Sequence, residues 1–344
     1  MNPANSPSSA NPTNPTNPKI AVLGAGGWGK NLVRVFCELL GVDAVTVVDP
    51  DAARREAMKS NHPGIAADAT VPWSELDAAV IAAPAPIHYQ LATKALNAGL
   101  HVLVEKPLAL SSDHVRSLIK LAEASDRILM VDHLLEFHPV VERLKALVDD
   151  GSLGKIRHMM SQRLNLGVIR SEENAWWSLA PHDVSIALHL MNQQPVEVCA
   201  VGGTYLQEGI PDVVHATLRF DDGAIAHIHV SWLDPVKTRR MTIVGSKAMA
   251  VFDDMSVEKL VLQADDIEMR DGRYVIDKKE PAVLEMSNAE PLRSMAETFL
   301  ESIQSGVPPR SDGRDGLRVV RVLEAVQKSL DTGGKIVRME DYDA

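Results

Sequence analysis

Two side chains in this sequence could take a proton from a hydroxyl and steady the charge left behind. Lys106 follows the apolar run His101 to Glu105 and precedes Pro107. A lysine at the end of a buried parallel strand sits where a ligand crevice opens, and its amine can stabilise a developing alkoxide. Pro107 biases it towards an extended backbone. The plainer alternative is a solvated lysine at a strand end. His182, in Pro181-His182-Asp183, carries the side chain best suited to accept a proton near neutral pH. A core or capping histidine is the competing reading.

A third group could hold a nucleotide. Gly24, Gly26 and Gly29 have G-x-G-x-x-G spacing, with Gly27 and Trp28 completing the turn. The first glycine permits the bend, the second lets backbone approach a pyrophosphate, and the third lets helix pack on strand. Free N–H groups at the helix start then face the phosphates. The residues from Gly24 to Lys30 also nearly spell a triphosphate P-loop, but Asn31 stands where Ser or Thr would hold magnesium. A strand from Ala44 to Val48 ends in Asp49, at about the 20-residue offset of a dinucleotide site. Asp49 can accept both ribose hydroxyls of NAD and would repel the 2′-phosphate of NADP. Arg54 and Arg55, close behind, leave NADP disfavoured but open. An ordinary glycine turn in an α/β unit is the alternative.

The loop from Gln162 to Trp177 supplies the candidate substrate contacts Arg163, Asn165, Arg170, Asn174 and Trp176, beside Lys106 and His182. Its arginines could pair with a diphosphate or a carboxylate. A salt-bridged surface loop with tryptophans as core anchors fits equally. His227 and His229 share one side of a strand, but no third metal ligand is evident nearby, so a polar sheet face is preferred and no metal is expected.

The elements that must position these groups follow from periodicity. Strands at Ile20–Leu23, Ala44–Val48, Ala78–Ala83, His101–Glu105 and Ile128–Val131 alternate with helices, which predicts a doubly wound parallel sheet. Ser111 or Ser112 could cap the helix that starts there. Beyond His133 the pattern changes. A helix spans Pro139 to Asp149, then strands dominate: Ile156–Leu164, Val196–Gly202, Val213–Phe220, Ala224–Trp232, Arg239–Gly245 and Met249–Phe252. One helix, Trp176 to Met191, interrupts them, and helices Pro291–Ser305 and Gly313–Thr332 close the chain. Consecutive strands without crossovers imply an open, largely antiparallel sheet, with a bare face that a second copy would cover if apolar. The expected organisation is a disordered Asn-Pro-Thr-rich tail over residues 1–18, a Rossmann domain over 19–133 and a substrate and oligomerisation domain over 134–344. The last helix is free to pack back on the Rossmann domain.

The 344 residues suit two domains. The 35 basic against 46 acidic residues give a net charge of −11, which argues against nucleic-acid binding. An anionic ligand would need a local basic pocket against that background. Cys37 and Cys199 form no metal spacing and no disulfide framework. No apolar run approaches membrane-spanning length and no signal-peptide stretch opens the chain, so a cytoplasmic enzyme is the expectation.

At Glu105-Lys106-Pro107, downstream of the glycine turn and upstream of a helical histidine, the chain resembles the Gfo/Idh/MocA oxidoreductases. The resemblance runs from Lys19 to the C-terminal helix. It implies a Rossmann domain, a C-terminal α/β domain with an open antiparallel sheet, bound NAD(H) or NADP(H), and redox chemistry at a sugar carbon. It makes Lys106 the catalytic lysine and His182 its histidine, with Ala83, Pro84, His88 and Glu105 beside the nicotinamide half. Many members carry Asp four residues before the histidine. Here Ser178 stands there, which speaks against a polyol-dehydrogenase site. The stretch from Asn165 to Ser185 is similar to the branch acting on nucleotide-linked sugars such as UDP-N-acetylglucosamine. There a 3-keto sugar is formed and then aminated by a partner transaminase, as in lipopolysaccharide or lipid A biosynthesis. The expected reaction has His182 removing a hydroxyl proton and Lys106 holding the same oxygen while hydride passes to nicotinamide. The other readings are a free-sugar or inositol dehydrogenase and a non-catalytic NAD-binding regulator.

Overall fold

The computed structural model describes residues 17–342, so the tail expected over residues 1–18 lies outside them apart from Asn17 and Pro18. β1 (Ile20–Leu23) is wholly buried, because the sheet it joins is covered by helices on both faces. α1 (Gly29–Leu40) follows the glycine turn and buries the stripe Leu32, Val33, Val35 and Phe36. Then come β2 (Val45–Val48), α2 (Ala52–Asn61), β3 (Ala66–Asp68), β4 (Ala78–Ile81), α3 (His88–Asn97), β5 (His101–Val104), α4 (Ser112–Ser125) and β6 (Leu129–Val131). The six strands are parallel, in the order β3-β2-β1-β4-β5-β6. The order reverses between β1 and β4, so the carboxyl ends of those strands flank a crevice. This is the doubly wound sheet that the alternation predicts. At α4, Ser111 occupies the N-cap position but its side chain makes no capping bond. Glu324 accepts the Ser112 N–H instead, at 3.1 Å.

The second half runs α5 (Pro139–Asp149), β7 (Ile156–Leu166), α6 (Ala175–Leu179), α7 (Pro181–Met191), β8 (Pro195–Gly203), β9 (Val213–Phe220), β10 (Ile225–Ser231), β11 (Leu233–Gly245), β12 (Met249–Asp253), β13 (Leu260–Gln263), β14 (Asp266–Arg270), β15 (Arg273–Asp277), β16 (Ala282–Val283), α8 (Pro291–Ser305), α9 (Gly313–Asp331) and β17 (Val337–Arg338). Nine strands form one sheet in the order β16-β13-β12-β11-β7-β10-β9-β8-β17. Its pairings are antiparallel except β7 with β10. The exception arises because the chain leaves β7 through α6 and α7 and returns as a meander. The last strand of that meander lands beside β7, running the same way.

Three features depart from the sequence reading. The single helix expected from Trp176 to Met191 is two, broken at Ala180, because Pro181 has no N–H to continue the ladder. The hairpin β14–β15 was not anticipated; its residues are nearly all exposed, so no face alternates in hydropathy. The short β13, β16 and β17 also lack a readable alternation.

The two sheets share helix α9. Val320 packs into the apolar core of the Rossmann sheet, while Val319, Leu323 and Val326 belong to the core of the nine-stranded sheet. α8 packs on α1, with Phe299 set edge-on to Phe36 at 6.4 Å between ring centres. No helix among the described residues is long and apolar enough to cross a membrane.

Candidate active site

The glycine turn is shaped by sterics that only glycine satisfies at two positions. Gly24 has φ of +104°, and a Cβ there would lie 2.7 Å from the Ala82 carbonyl oxygen. A Cβ on Gly29 would lie 1.9 Å from the Gly24 oxygen, so helix α1 can start there only without a side chain. Around Gly27 a Cβ meets nothing within 4 Å, which leaves space above the turn. No side chain caps α1; the Lys30 and Asn31 N–H groups bond to the Gly26 and Trp28 carbonyls, and the positive end of the helix faces the space above the turn, where an anion is favoured. These features fit the pyrophosphate of a dinucleotide.

Asp49 ends β2 with its carboxylate buried. Oδ2 accepts the Ala25 N–H at 2.8 Å and Oδ1 the Asp51 N–H at 2.9 Å, tying the glycine turn to the second strand. Each oxygen keeps a lone pair for a ribose hydroxyl. Arg54 lies over this carboxylate, 3.5 Å from Oδ2, and Arg55 Nη1 donates to the Asp49 carbonyl at 2.6 Å.

The other end of the crevice is built from side chains. His88, buried, lies 2.7 Å from the Ala83 carbonyl oxygen through Nε2 and 2.8 Å from that of Pro107 through Nδ1. It therefore braces the loop after β4 against the loop after β5. Burial lowers its pKa, although both carbonyls favour the charged ring. Lys106 and Pro107 are joined by a cis peptide bond. Glu105 faces Asp132, the residue after β6. Burial, then the neighbouring carboxylate, push the Glu105 carboxyl well above the usual range, and burial also raises Asp132. Trp28 Nε1 donates to Asp132 Oδ2 at 2.9 Å, linking the glycine turn to this carboxyl pair. Sequence reading did not single out Asp132; only its position after a parallel strand could have flagged it.

Lys106 Nζ donates to the Ser178 carbonyl at 3.0 Å. That carbonyl is free because α6 ends at Leu179, and a cation at a helix C-terminus is favourable. Ser178 lies one turn before His182 in the chain, so the bond draws the lysine to the segment carrying the histidine. His182 occupies the first turn of α7, with some surface open although protein packs it nearly all round. Its buried Nδ1 has no hydrogen-bond partner among the described residues. Burial, then the charges of Lys106, Arg163, His133 and Arg239, hold it well below the usual histidine range, so it is neutral and able to accept a proton.

The expected substrate loop is placed differently. Arg163 pairs with buried Asp183, Nε to Oδ2 at 2.6 Å, and Ser161 Oγ donates to Asp183 Oδ1 at 2.5 Å. Its charge is compensated and it anchors α7 rather than standing free for a diphosphate. Arg170 is exposed and pairs with Glu173 at 3.0 Å. Asn165 Oδ1 accepts from Arg239 at 2.6 Å. Asn174 caps α6, accepting from the Trp177 N–H and donating to Gln327. Trp176 has no exposed surface and donates to the Leu323 carbonyl, so it is a core residue that cannot touch a substrate. His227 and His229 point to the open face of the nine-stranded sheet, where His229 stacks on His215 at 3.9 Å between ring centres.

Behind the site lies a buried ionic cluster that the sequence did not announce. His133 Nδ1 is 2.5 Å from Asp315 Oδ2 and 3.5 Å from Glu136 Oε1. Burial opposes the His133 charge, but the Asp315 and Glu136 carboxyls push its pKa up to about 10. Burial and Asp315 push Glu136 up to about 7. A cleft of about 430 Å³ lies elsewhere, against His101 and Ile128 near the amino ends of β5 and β6, and holds none of the candidate groups.

Comparison with known proteins agrees with this architecture. Residues 18–133 match the oxidoreductase family model described as an NAD-binding Rossmann fold, and residues 141–251 match the GFO/IDH/MocA C-terminal domain. UDP-N-acetylglucosamine 3-dehydrogenase of Acidithiobacillus ferrooxidans is 26% identical over 261 residues, covering 75% of this chain and 80% of that protein. Its solved structure superimposes with a TM-score of 0.81 at 24% identity, over 92% of this chain and 98% of that one. Myo-inositol 2-dehydrogenase of Thermotoga maritima is 27% identical over 270 residues, covering 74% and 78%. A glycine turn, an NAD-type Rossmann sheet and a following mixed sheet, each matched in its own segment, make this chain a member of the Gfo/Idh/MocA family of oxidoreductases.

Proposed function

We propose that the protein oxidises a hydroxyl of a nucleotide-linked sugar to a ketone, at C3 of UDP-N-acetylglucosamine or a related UDP-sugar, with NAD preferred over NADP. The observation that carries this is the bond from Lys106 Nζ to the Ser178 carbonyl, which draws the amine to the His182 segment at the mouth of the parallel strands. His182, neutral and half-buried, takes the hydroxyl proton. Lys106 has three N–H donors and one is held by Ser178, so two can meet the substrate oxygen and steady its charge. The nicotinamide, when bound, supplies the hydride acceptor. Gly24, Gly26, Gly27 and Gly29 would hold its pyrophosphate, and Asp49 its ribose. Ala83, Pro84 and Glu105 would border the nicotinamide half. The similarity of this chain to a UDP-N-acetylglucosamine 3-dehydrogenase supports the sugar-nucleotide class.

A second reading, oxidation of an inositol or free sugar, is favoured by the comparable identity to a myo-inositol 2-dehydrogenase. Purified protein offered NAD with UDP-N-acetylglucosamine or myo-inositol, followed by NADH absorbance, separates the two. Turnover of the UDP-sugar supports the first reading, and turnover of myo-inositol alone replaces it. NAD binding without turnover of any sugar would favour a regulator. A transaminase acting on the keto product, and a second copy covering the sheet face that exposes Met160, Val201 and His215, belong to the same proposal.

A further inference from the structure

A cleft of about 160 Å³ lies between α7 and the early part of β11, lined by Ser161, Arg163, Asp183, Lys237, Arg239 and Asp254 among others. Whole small-molecule sites run to about 300–1,000 Å³, so this one has the size of a subsite for part of a ligand. It adjoins the proposed chemistry. Asp183 follows His182 in the chain, and the charges of Arg163 and Arg239 both bear on the His182 ring.

Its charge is unbalanced. Arg163 is neutralised by Asp183, and Asp254 by Lys259 at 2.6 Å, with His138 at 3.7 Å. Arg239 has only uncharged hydrogen-bond partners: the Leu164 and Thr238 carbonyls, each at 2.8 Å, and Asn165 Oδ1 at 2.6 Å. Half-buried beside Arg163, it makes no ion pair of its own and feels the Asp183 and Asp254 carboxylates only at longer range, while burial and then Arg163 disfavour its charge. Lys237 is exposed and has no ion pair among the described residues. Four cations, Arg163, Lys237, Arg239 and Arg240, thus line one cleft against two carboxylates, Asp183 and Asp254, in a chain whose net charge is −11. Arg239 lies directly across from Arg163 in the β7–β11 register. Asp183, bonded to Arg163, offsets part of the repulsion between the two guanidinium groups, and a further anion beside them would offset more.

We propose that this cleft, with Arg239 and Lys237 as its cations, binds the diphosphate of the nucleotide-sugar substrate and so sets the sugar against Lys106 and His182. This rests on the sugar-nucleotide reading above. Two cations suit the two charges of a diphosphate better than the single charge of a sugar carboxylate. The guanidinium fork offers phosphate oxygens a directed contact, and Lys237 offers a point charge.

The test measures UDP binding by calorimetry with NADH saturating, so that the glycine turn is already filled, and compares UDP with uridine. The wild type is expected to bind UDP, with affinity falling as salt rises, and to bind uridine far more weakly. Lys237→Gln and Arg239→Gln should each weaken UDP about tenfold or more, with NADH affinity unchanged. If Arg239→Gln fails to fold, Lys237→Gln, at an exposed position, decides alone. UDP affinity unchanged in the decisive variant overturns the cleft assignment and leaves the sugar-nucleotide reading standing. A wild type that binds NADH but not UDP overturns both.

Discussion

The two ends of the crevice are built by opposite means. At the glycine turn the structure works by leaving side chains out: Gly24 and Gly29 sit where a Cβ would strike backbone, and Gly27 leaves open space. At the Lys106 end it works by crowding side chains in. Lys106, Glu105, Asp132, His88 and His182 come from four loops or helix starts; His88 bridges the Ala83 and Pro107 carbonyls, Lys106 bonds the Ser178 carbonyl and Glu105 faces Asp132. The lesson is that a binding surface made of backbone is set by local sterics, whereas a reactive one is set by long-range assembly. The first tolerates no added atom. The second tolerates atoms but not a change of charge.

That contrast can be broken most severely at Gly29. Gly29→Ala puts a methyl 1.9 Å from backbone oxygen, with no flexible group to yield. NAD binding should be lost, with a large fall in melting temperature; NAD titration by fluorescence would expose an error if affinity stayed near wild type. Next in size is Lys106→Ala. On the proposed role, in which the amine holds the substrate oxygen and not the turn, turnover should fall about 10²–10³-fold while NAD still binds. Equal losses of turnover and NAD affinity would erase the distinction between the two ends.

The pH profile sharpens the comparison. His182 is held well below 6.5, so it stays neutral, hence able to accept a proton, as pH drops through 6.5. Oxidation should keep its rate there and decline only further into acid. A limb centred at or above 6.5 and abolished in His182→Ala would mean that burial and the cations around the ring do not hold its pKa down. Stability offers a smaller effect. His133 rises from 6.5 to about 10 on folding. Its contribution is complete below 6.5 and is lost as pH climbs through about 10. Glu136, raised from 4.5 to about 7, acts in the same direction, since its ionisation is disfavoured in the fold. Melting temperature should therefore decline from pH 6.5 towards 10, and His133→Gln should flatten that decline. The mildest change is Asp49→Ala, which should reduce the preference for NAD over NADP by about tenfold. Arg54, left with Asp51 as its carboxylate partner at 3.5 Å, would then meet a 2′-phosphate without the opposing Asp49 charge.

The same contrast governs what the sequence revealed. The glycine turn, Asp49 and the alternating strands of the Rossmann sheet were readable because each depends on neighbours a few residues away. Helix α5 begins at Pro139 and ends at Asp149, as its periodicity predicts. Lys106 and His182 were readable as types, but the Ser178 carbonyl that Lys106 bonds is exposed by the break between α6 and α7 before Pro181, where the pattern looked like one continuous helix. For the loop carrying Trp176 and Asn174, substrate contact and core anchoring were both open, and the contacts with α9 favour the second: Trp176 bonds the Leu323 carbonyl and Asn174 bonds Gln327. Asp132, Arg239 and the His133–Glu136–Asp315 cluster carry no local pattern. Asp315 lies 182 residues from His133 in the chain, and no spacing rule reaches that far.

Helix α9 has a mechanical consequence. Its Val320 side is locked in one core and its Leu323 and Val326 side in the other, so a swing of either sheet would pull apolar groups out of one of them. The helix acts as a dowel between two blocks. A freely jointed, jaw-like opening between the two sheets would therefore cost the burial of one side of this helix.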